Sequence, residues 1–205
     1  MSAGFARRDL FDDDAGPDIE GLAYREDYIT PAEEAALITH IDRQPWSTEL
    51  LRRRQWYGWA YDDTTFGDGG EYRPQPLPEW LLPLAERLKG DGYFAVTPDR
   101  ALINEYHPGQ GIGAHKDRDA AHIRSVALIS LGSPIMMDFT RPDRPTQSHY
   151  LRPRSLVIMS GEARDDWLHG ITCRKSDRVG GLVLPRGRRL SITFRSKADT
   201  FTQTS

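Results

Sequence analysis

Ala101-Leu102-Ile103-Asn104-Glu105-Tyr106-His107-Pro108-Gly109-Gln110-Gly111-Ile112-Gly113-Ala114-His115-Lys116-Asp117 carries a strand-like run, a turn and two metal-binding side chains. The run up to Tyr106 has the length and apolar content of a short strand, and the Gly/Pro cluster after it reads as a turn. In an extended chain successive side chains point to opposite faces. His115 and Asp117 are therefore expected to project from one face of a strand, where both reach a single metal ion. A second histidine has to come from elsewhere. Two histidines and one carboxylate leave three of six octahedral positions open, the arrangement of non-haem Fe(II) oxygenases that hold dioxygen and a cosubstrate together. Zinc more often fills a closed tetrahedron.

Working outward, the chain from Ala101 onward reads as short β-like runs separated by turn residues: Ala101 to Tyr106, Ser125 to Leu131, Ile135 to Phe139, Ser155 to Ser160, and Leu190 to Arg195. Two helices are expected before them. Thr30-Pro31-Ala32-Glu33 combines an N-cap, a proline at the first helical position and a capping-box glutamate, and the apolar positions continue to about Arg43. Glu79 to Lys89 has Trp80, Leu81, Leu84 and Leu88 at helical spacing, with Gly90 or Gly92 to end it. Helices first and strands afterwards, without βαβ alternation, predict a mainly β, α+β fold: a double-sheet jelly roll with flanking helices.

The chain has 205 residues, 38% of them hydrophobic, which suits one domain with a sizeable core. Residues 1–20 are acidic and contain Gly16-Pro17, so they read as a flexible lead-in to a domain over 21–205. No apolar run approaches the roughly 20 residues that span a bilayer, and the N-terminus lacks a signal core. A cytoplasmic protein with no membrane partner is expected. The single Cys173 has no partner for an intramolecular disulfide, which is compatible with a reducing compartment. Charge is uneven: residues 1–34 hold ten acids against three arginines, a net −7, so the remainder carries +4 within a total of −3. Arg52-Arg53-Arg54 and the stretch from Arg174 to Lys197 are basic, and each reads as either a phosphate-binding face or a solvated one.

A candidate third ligand is His169, which follows the apolar run Leu156-Val157-Ile158-Met159 and sits near the start of a further strand-like segment. In the C-terminal run, Arg189, Ser191, Thr193 and Arg195 share one face, opposite Leu190, Ile192 and Phe194. That polar face is either solvated or the wall of an anion site. Guanidinium groups bind carboxylates through paired charge-assisted hydrogen bonds, so a dicarboxylate would satisfy two arginines there. Asn104 and Tyr106 also share a face and can add an amide and a phenol.

Asn104-x-Tyr106-x-Pro108-Gly109, His115-x-Asp117, His169-Gly170-Ile171 and Arg189-Leu190-Ser191-Ile192-Thr193-Phe194-Arg195, in that order, resemble the AlkB family of iron- and 2-oxoglutarate-dependent dioxygenases. The resemblance implies a double-stranded β-helix, Fe(II) held by His115, Asp117 and His169, and O2 as co-reactant. It places Arg189 and Tyr106 at the distal carboxylate of 2-oxoglutarate, with Asn104 and Arg195 at the other end and Ser191 beside them. Arg53-Arg54-Gln55-Trp56-Tyr57-Gly58 resembles the family's nucleotide-recognition lid, here around 46–75. By that analogy Trp56, Tyr57, Trp59 or Tyr61 stacks on a flipped base, while the Arg52, Arg53 and Arg54 side chains meet phosphates. The implied function is oxidative demethylation of N-alkylated bases in DNA or RNA, by a monomer without an obligate protein partner. Gln110-Gly111-Ile112, Ser160-Gly161-Glu162-Ala163-Arg164 and the segment from His169 to Lys175 look closest to the branch that hydroxylates a modified wobble uridine of transfer RNA. A protein-directed demethylase of the same fold is a third reading.

Overall fold

The computed structural model describes residues 16–48, 52–58, 76–117 and 124–196. The lead-in over 1–15, Trp59, Tyr61 and most of the 46–75 segment lie outside these residues.

Helix α1 (Pro31–Asp42) starts as its capping signals predict. Glu33 N–H donates to the Thr30 hydroxyl at 3.2 Å, and Thr30 N–H donates to the Glu33 carboxylate at 2.7 Å, so two orphan helix-end amides are satisfied together. Helix α2 (Leu82–Gly90) is shorter than the expected 79–89. Pro83 lies in its first turn, where a missing N–H costs nothing, and the preceding residues form a turn in which Leu81 N–H donates to Pro78 carbonyl at 2.9 Å.

Twelve strands occur among the described residues: β1 (Leu22–Arg25), β2 (Arg54–Gly58), β3 (Arg100–Tyr106), β4 (Ile112–His115), β5 (Ser125–Gly132), β6 (Ile135–Arg141), β7 (Arg144–Leu151), β8 (Leu156–Ser160), β9 (Leu168–Ile171), β10 (Ser176–Val179), β11 (Leu182–Pro185) and β12 (Arg189–Arg195), with a one-turn helix α3 (Gly161–Asp165) between β8 and β9. The five strands expected after Ala101 are present within two residues of their expected bounds. All strand pairs are antiparallel, in a six-stranded sheet ordered β1-β8-β5-β12-β3-β2, a four-stranded sheet ordered β4-β9-β6-β7, and the β10-β11 hairpin. This is the antiparallel α+β architecture of a jelly roll.

Period-two alternation sorts the core into two clusters. One face of the larger sheet, with Ile103, Ala127, Ile129, Leu156, Ile158, Leu190, Ile192 and Phe194, packs on Leu37 and Ile41 of α1 and Leu84, Ala85 and Leu88 of α2. The other face, with Val126, Leu128, Val157 and Met159, meets Ile135, Met137, Phe139 and Ile171 of the smaller sheet. A sheet covered on both sides needs apolar residues at both parities, which is why β5 and β8 read as continuous apolar runs. The cleft opens between the sheets, on the face that carries Asn104, Tyr106, Ser191 and Thr193.

Candidate metal and cosubstrate site

His115 and His169 are direct cross-strand partners in the β4–β9 ladder. Their ring centroids lie 4.5 Å apart with the planes inclined by 48°. One expectation needs correcting. β4 ends at His115, so Asp117 lies beyond the strand, and its approach to His115 comes from the turning chain and not from strand alternation. The convergence still occurs: one ligand atom from each of His115, Asp117 and His169 lies within 4.8 Å of the others, with His169 Nε2 3.9 Å from Asp117 Oδ2.

The imidazoles are prepared for a cation. His115 Nδ1 lies 2.9 Å from the Gly113 carbonyl; donation there leaves the Nε2 lone pair for a metal. Burial pushes His169 down to about 4 against the opposing pull of Asp117, so it is neutral at pH 7 with its lone pair available. Arg195 Nη2 donates to Asp117 Oδ1 and leaves Oδ2 facing His169. Two nitrogens and a carboxylate oxygen, gathered on one side of a cleft, suit a divalent iron with open positions.

The cleft lies between the sheets, and its walls include Arg52, Asn104, Tyr106, Ser191 and Arg195 together with the triad. Arg189 lies deeper, 1% exposed, its guanidinium 5.3 Å from the Tyr106 ring centroid. Its Nη2 donates to Ser130 Oγ at 2.9 Å, but Nε and Nη1 have no partner among the described residues. Burial lowers Arg189 to about 10, which still leaves it charged at neutral pH. A buried cation with two unpaired donors is costly unless an anion arrives, so these atoms fit the distal carboxylate of 2-oxoglutarate. The reading of the β12 polar face as a solvated surface fails, since every residue from Arg189 to Phe194 is buried.

The lid residues divide by strand face. β2 pairs with β3 so that Arg54 opposes Asn104 and Trp56 opposes Leu102, which places both on the cleft side. Trp56 is 56% exposed, and the Arg54 guanidinium lies 5.3 Å from its ring centroid. Tyr57 points the other way, half-buried edge-on to Trp80, with its hydroxyl donating to Gln55 Oε1 at 3.0 Å. Arg53 is committed to Glu105 through Nε and Nη2 at 2.5 and 2.8 Å. Arg52 enters the cleft wall, donating to Asn104 Oδ1 at 2.9 Å and to the Gly111 carbonyl at 3.3 Å.

Four contributors carried no motif. Ser130 is a lone hydroxyl inside the apolar β5 run, a signal that alternation alone could have flagged. Glu105 is buried on the opposite face of β3 from Asn104, and its partners Arg53 and Arg188 come from just before β2 and β12. Met137 and Met159 line the cleft from β6 and β8, where an apolar pattern gives no hint of which face meets the site.

A family model, the 2OG-Fe(II) oxygenase superfamily, matches residues 21–195. The mimivirus "Uncharacterized protein L905" is 33% identical over 87% of this chain and 85% of its own length. Mouse "tRNA (carboxymethyluridine(34)-5-O)-methyltransferase ALKBH8" is 36% identical over 85% of this chain, which spans only 30% of that protein. Zebrafish "Probable RNA/DNA demethylase ALKBH6" is 32% identical over 84% of this chain and 83% of its length. The solved structure "The structure of OsALKBH1" superposes with a TM-score of 0.65 at 18% identity, over 86% of this chain and 98% of that one, a likeness of fold.

Proposed function

We propose, because the chain belongs to the 2OG-Fe(II) oxygenase superfamily, that it is an Fe(II)- and 2-oxoglutarate-dependent dioxygenase acting on nucleic acid, with a modified wobble uridine of transfer RNA as its target. The carrying observation is the buried Arg189, with two unpaired nitrogens, beside Tyr106, which lines the same cleft as His115, Asp117 and His169. Support for the uridine comes from similarity to ALKBH8, and the exposed Trp56 on the cleft side supports a base as the target. The dioxygenase domain on this reading is residues 21–205, with a lid around 46–75.

Bound Fe(II), with 2-oxoglutarate and O2, supplies decarboxylation to succinate and insertion of one oxygen atom into a substrate C–H bond. The chain's own residues set the geometry. Arg189 anchors the distal carboxylate while Tyr106 packs on the guanidinium, and Asn104, Ser191 and Arg195 orient the other end. Arg195 also holds Asp117 in place, and the Gly113 carbonyl holds His115. Leu128, Met137 and Met159 keep that wall apolar, which limits water near the reacting atoms. Trp56 stacks on the target base, and Arg54 stiffens that ring from its face.

Demethylation of N-alkylated bases is the second reading, supported by similarity to ALKBH6 along most of that protein's length. The two reactions differ in product. Succinate release and substrate mass are to be followed with wobble-modified anticodon stem-loops, N-methylated oligonucleotides and methylated peptides. A uridine that gains one oxygen atom is the expected result. Formaldehyde release from methylated bases alone would replace this reading with the second, stimulation by peptides alone would remove nucleic acid, and no succinate from any substrate would remove the enzyme.

A further inference from the structure

We infer that Arg52 is a positioning residue for 2-oxoglutarate: it fixes the Asn104 carboxamide so that the amide N–H groups, and not the amide oxygen, face the cosubstrate. The inference rests on the dioxygenase reading above and adds to it a residue from the segment that leads into β2. Arg52 precedes the strand, yet its guanidinium reaches the cleft wall, where Nε donates to Asn104 Oδ1 at 2.9 Å and Nη1 to the Gly111 carbonyl at 3.3 Å. The same guanidinium lies 5.5 Å from the Tyr106 ring centroid, and that of Arg189 lies 5.3 Å from it. Two nitrogens of the first arginine in the run Arg52-Arg53-Arg54 are thus committed inside the cleft.

An asparagine side chain can present either an acceptor or two donors to a ligand, and half a turn about its last bond exchanges them. Asn104 is buried and sits between Arg54 of β2 and Ser191 of β12 in the sheet register. The Ser191 hydroxyl can donate or accept, so it tolerates either orientation of the amide. Arg52 only donates. The amide atom that faces it has to be the oxygen, and the nitrogen with its two donors is left for a ligand in the cleft. A carboxylate is an acceptor and needs those donors, whereas the flipped amide would set oxygen against oxygen. The planar guanidinium, pinned at the Gly111 carbonyl as well, holds this orientation before the cosubstrate arrives, which lowers the ordering cost of binding.

The test is a double-mutant cycle read by titrating 2-oxoglutarate into protein loaded with Mn(II), with thermal unfolding as a check on folding. Arg52→Met removes both hydrogen bonds at similar side-chain length. It is expected to weaken 2-oxoglutarate binding about tenfold in the wild-type background but less than about twofold in Asn104→Ala, since Arg52 acts through that amide. Arg52→Lys keeps the charge without the two-pronged fork, should lose about threefold in the wild-type background alone, and carries the test if Arg52→Met does not fold. Equal losses in both backgrounds would assign Arg52 a through-space charge effect and overturn the proposal. So would wild-type affinity in either Arg52 variant, or a loss confined to oligonucleotide binding, the result expected of a phosphate contact; each leaves the dioxygenase reading standing. A wild-type protein that binds Mn(II) but no 2-oxoglutarate would remove both.

Discussion

At the scale of single residues, Arg189 concentrates the physical argument for a dicarboxylate. Its guanidinium is buried beside Tyr106 with one nitrogen on Ser130 and two unpaired. Arg189→Ala removes that donor pair, and loss of a buried charge-assisted contact costs about 2–4 kcal/mol, on the order of a hundredfold in affinity. Titration of 2-oxoglutarate into the protein loaded with Mn(II) should show that loss while metal affinity stays near wild type; unchanged cosubstrate affinity would mean the distal carboxylate sits elsewhere. The contrast with Arg53 is instructive. Both are arginines in motif-bearing segments, yet Arg53 is partly exposed and already paired with Glu105, so burial and pairing, not the residue type, separate an anion receptor from a structural clip.

Between residues and the whole molecule stands the β4–β9 ladder, whose register brings His115 opposite His169. Gly111 leads into that ladder, and a Cβ placed on it would lie 2.1 Å from the Ile171 carbonyl oxygen and 3.0 Å from Cys173 N. Both are backbone atoms, which do not yield as a flexible side chain does. Gly111→Ala should therefore push β4 away from β9 and separate the two imidazoles, although residue 111 touches no metal. Mn(II) binding followed by thermal shift is the check: the wild type should gain stability by mass action, about 2.7 kcal/mol at a hundredfold excess over Kd, and the variant should gain little. A wild-type thermal shift in Gly111→Ala would disprove this role for the close approach. The same ladder explains the misplaced strand end. Alternation within one segment was readable, but the point where β4 stops is set by where β9 begins to pair, some fifty residues downstream.

Across the whole molecule, one ion cluster joins layers that are far apart in sequence. Glu105 on β3 accepts from Arg53 beside β2 and from Arg188 before β12, and Arg188 also reaches Asp42 at the end of α1. Burial alone would raise the Glu105 carboxyl, but hydrogen bonds from Arg53 and Arg188, reinforced by their charge, bring it down to about 2 from an ordinary 4.5. A depressed carboxylate contributes stability that is fully present above pH 4.5 and is lost as pH falls toward 2. Glu105→Gln is expected to cost about 2 kcal/mol at pH 7, roughly 4–8 °C in Tm, after allowance for the partly exposed arginines. The gap between variant and wild type should then close as pH drops through that window. A pH-independent gap would assign the effect to packing and not to charge.

Much of the architecture was legible in the chain because its causes are local. Capping residues dictated the start of α1, short β-like runs bounded by turn residues marked the five strands after Ala101, and the polar and apolar parities of β12 separated Arg189 and Ser191 from Leu190 and Ile192. The family-like order of His115, Asp117, His169 and Arg189 carried the chemistry for the same reason: ligand types and their spacing are properties of the string. Tertiary structure alone decided which side chains were still free to bind something. Arg53 and Arg189 differ in burial and in whether a buried carboxylate lies within reach, Trp56 and Tyr57 in which face of β2 the sheet turns toward the cleft, and Met136 and Met137 in which side of β6 is inside. Those outcomes depend on contacts between segments tens of residues apart, where burial and pairing energies exceed any local preference.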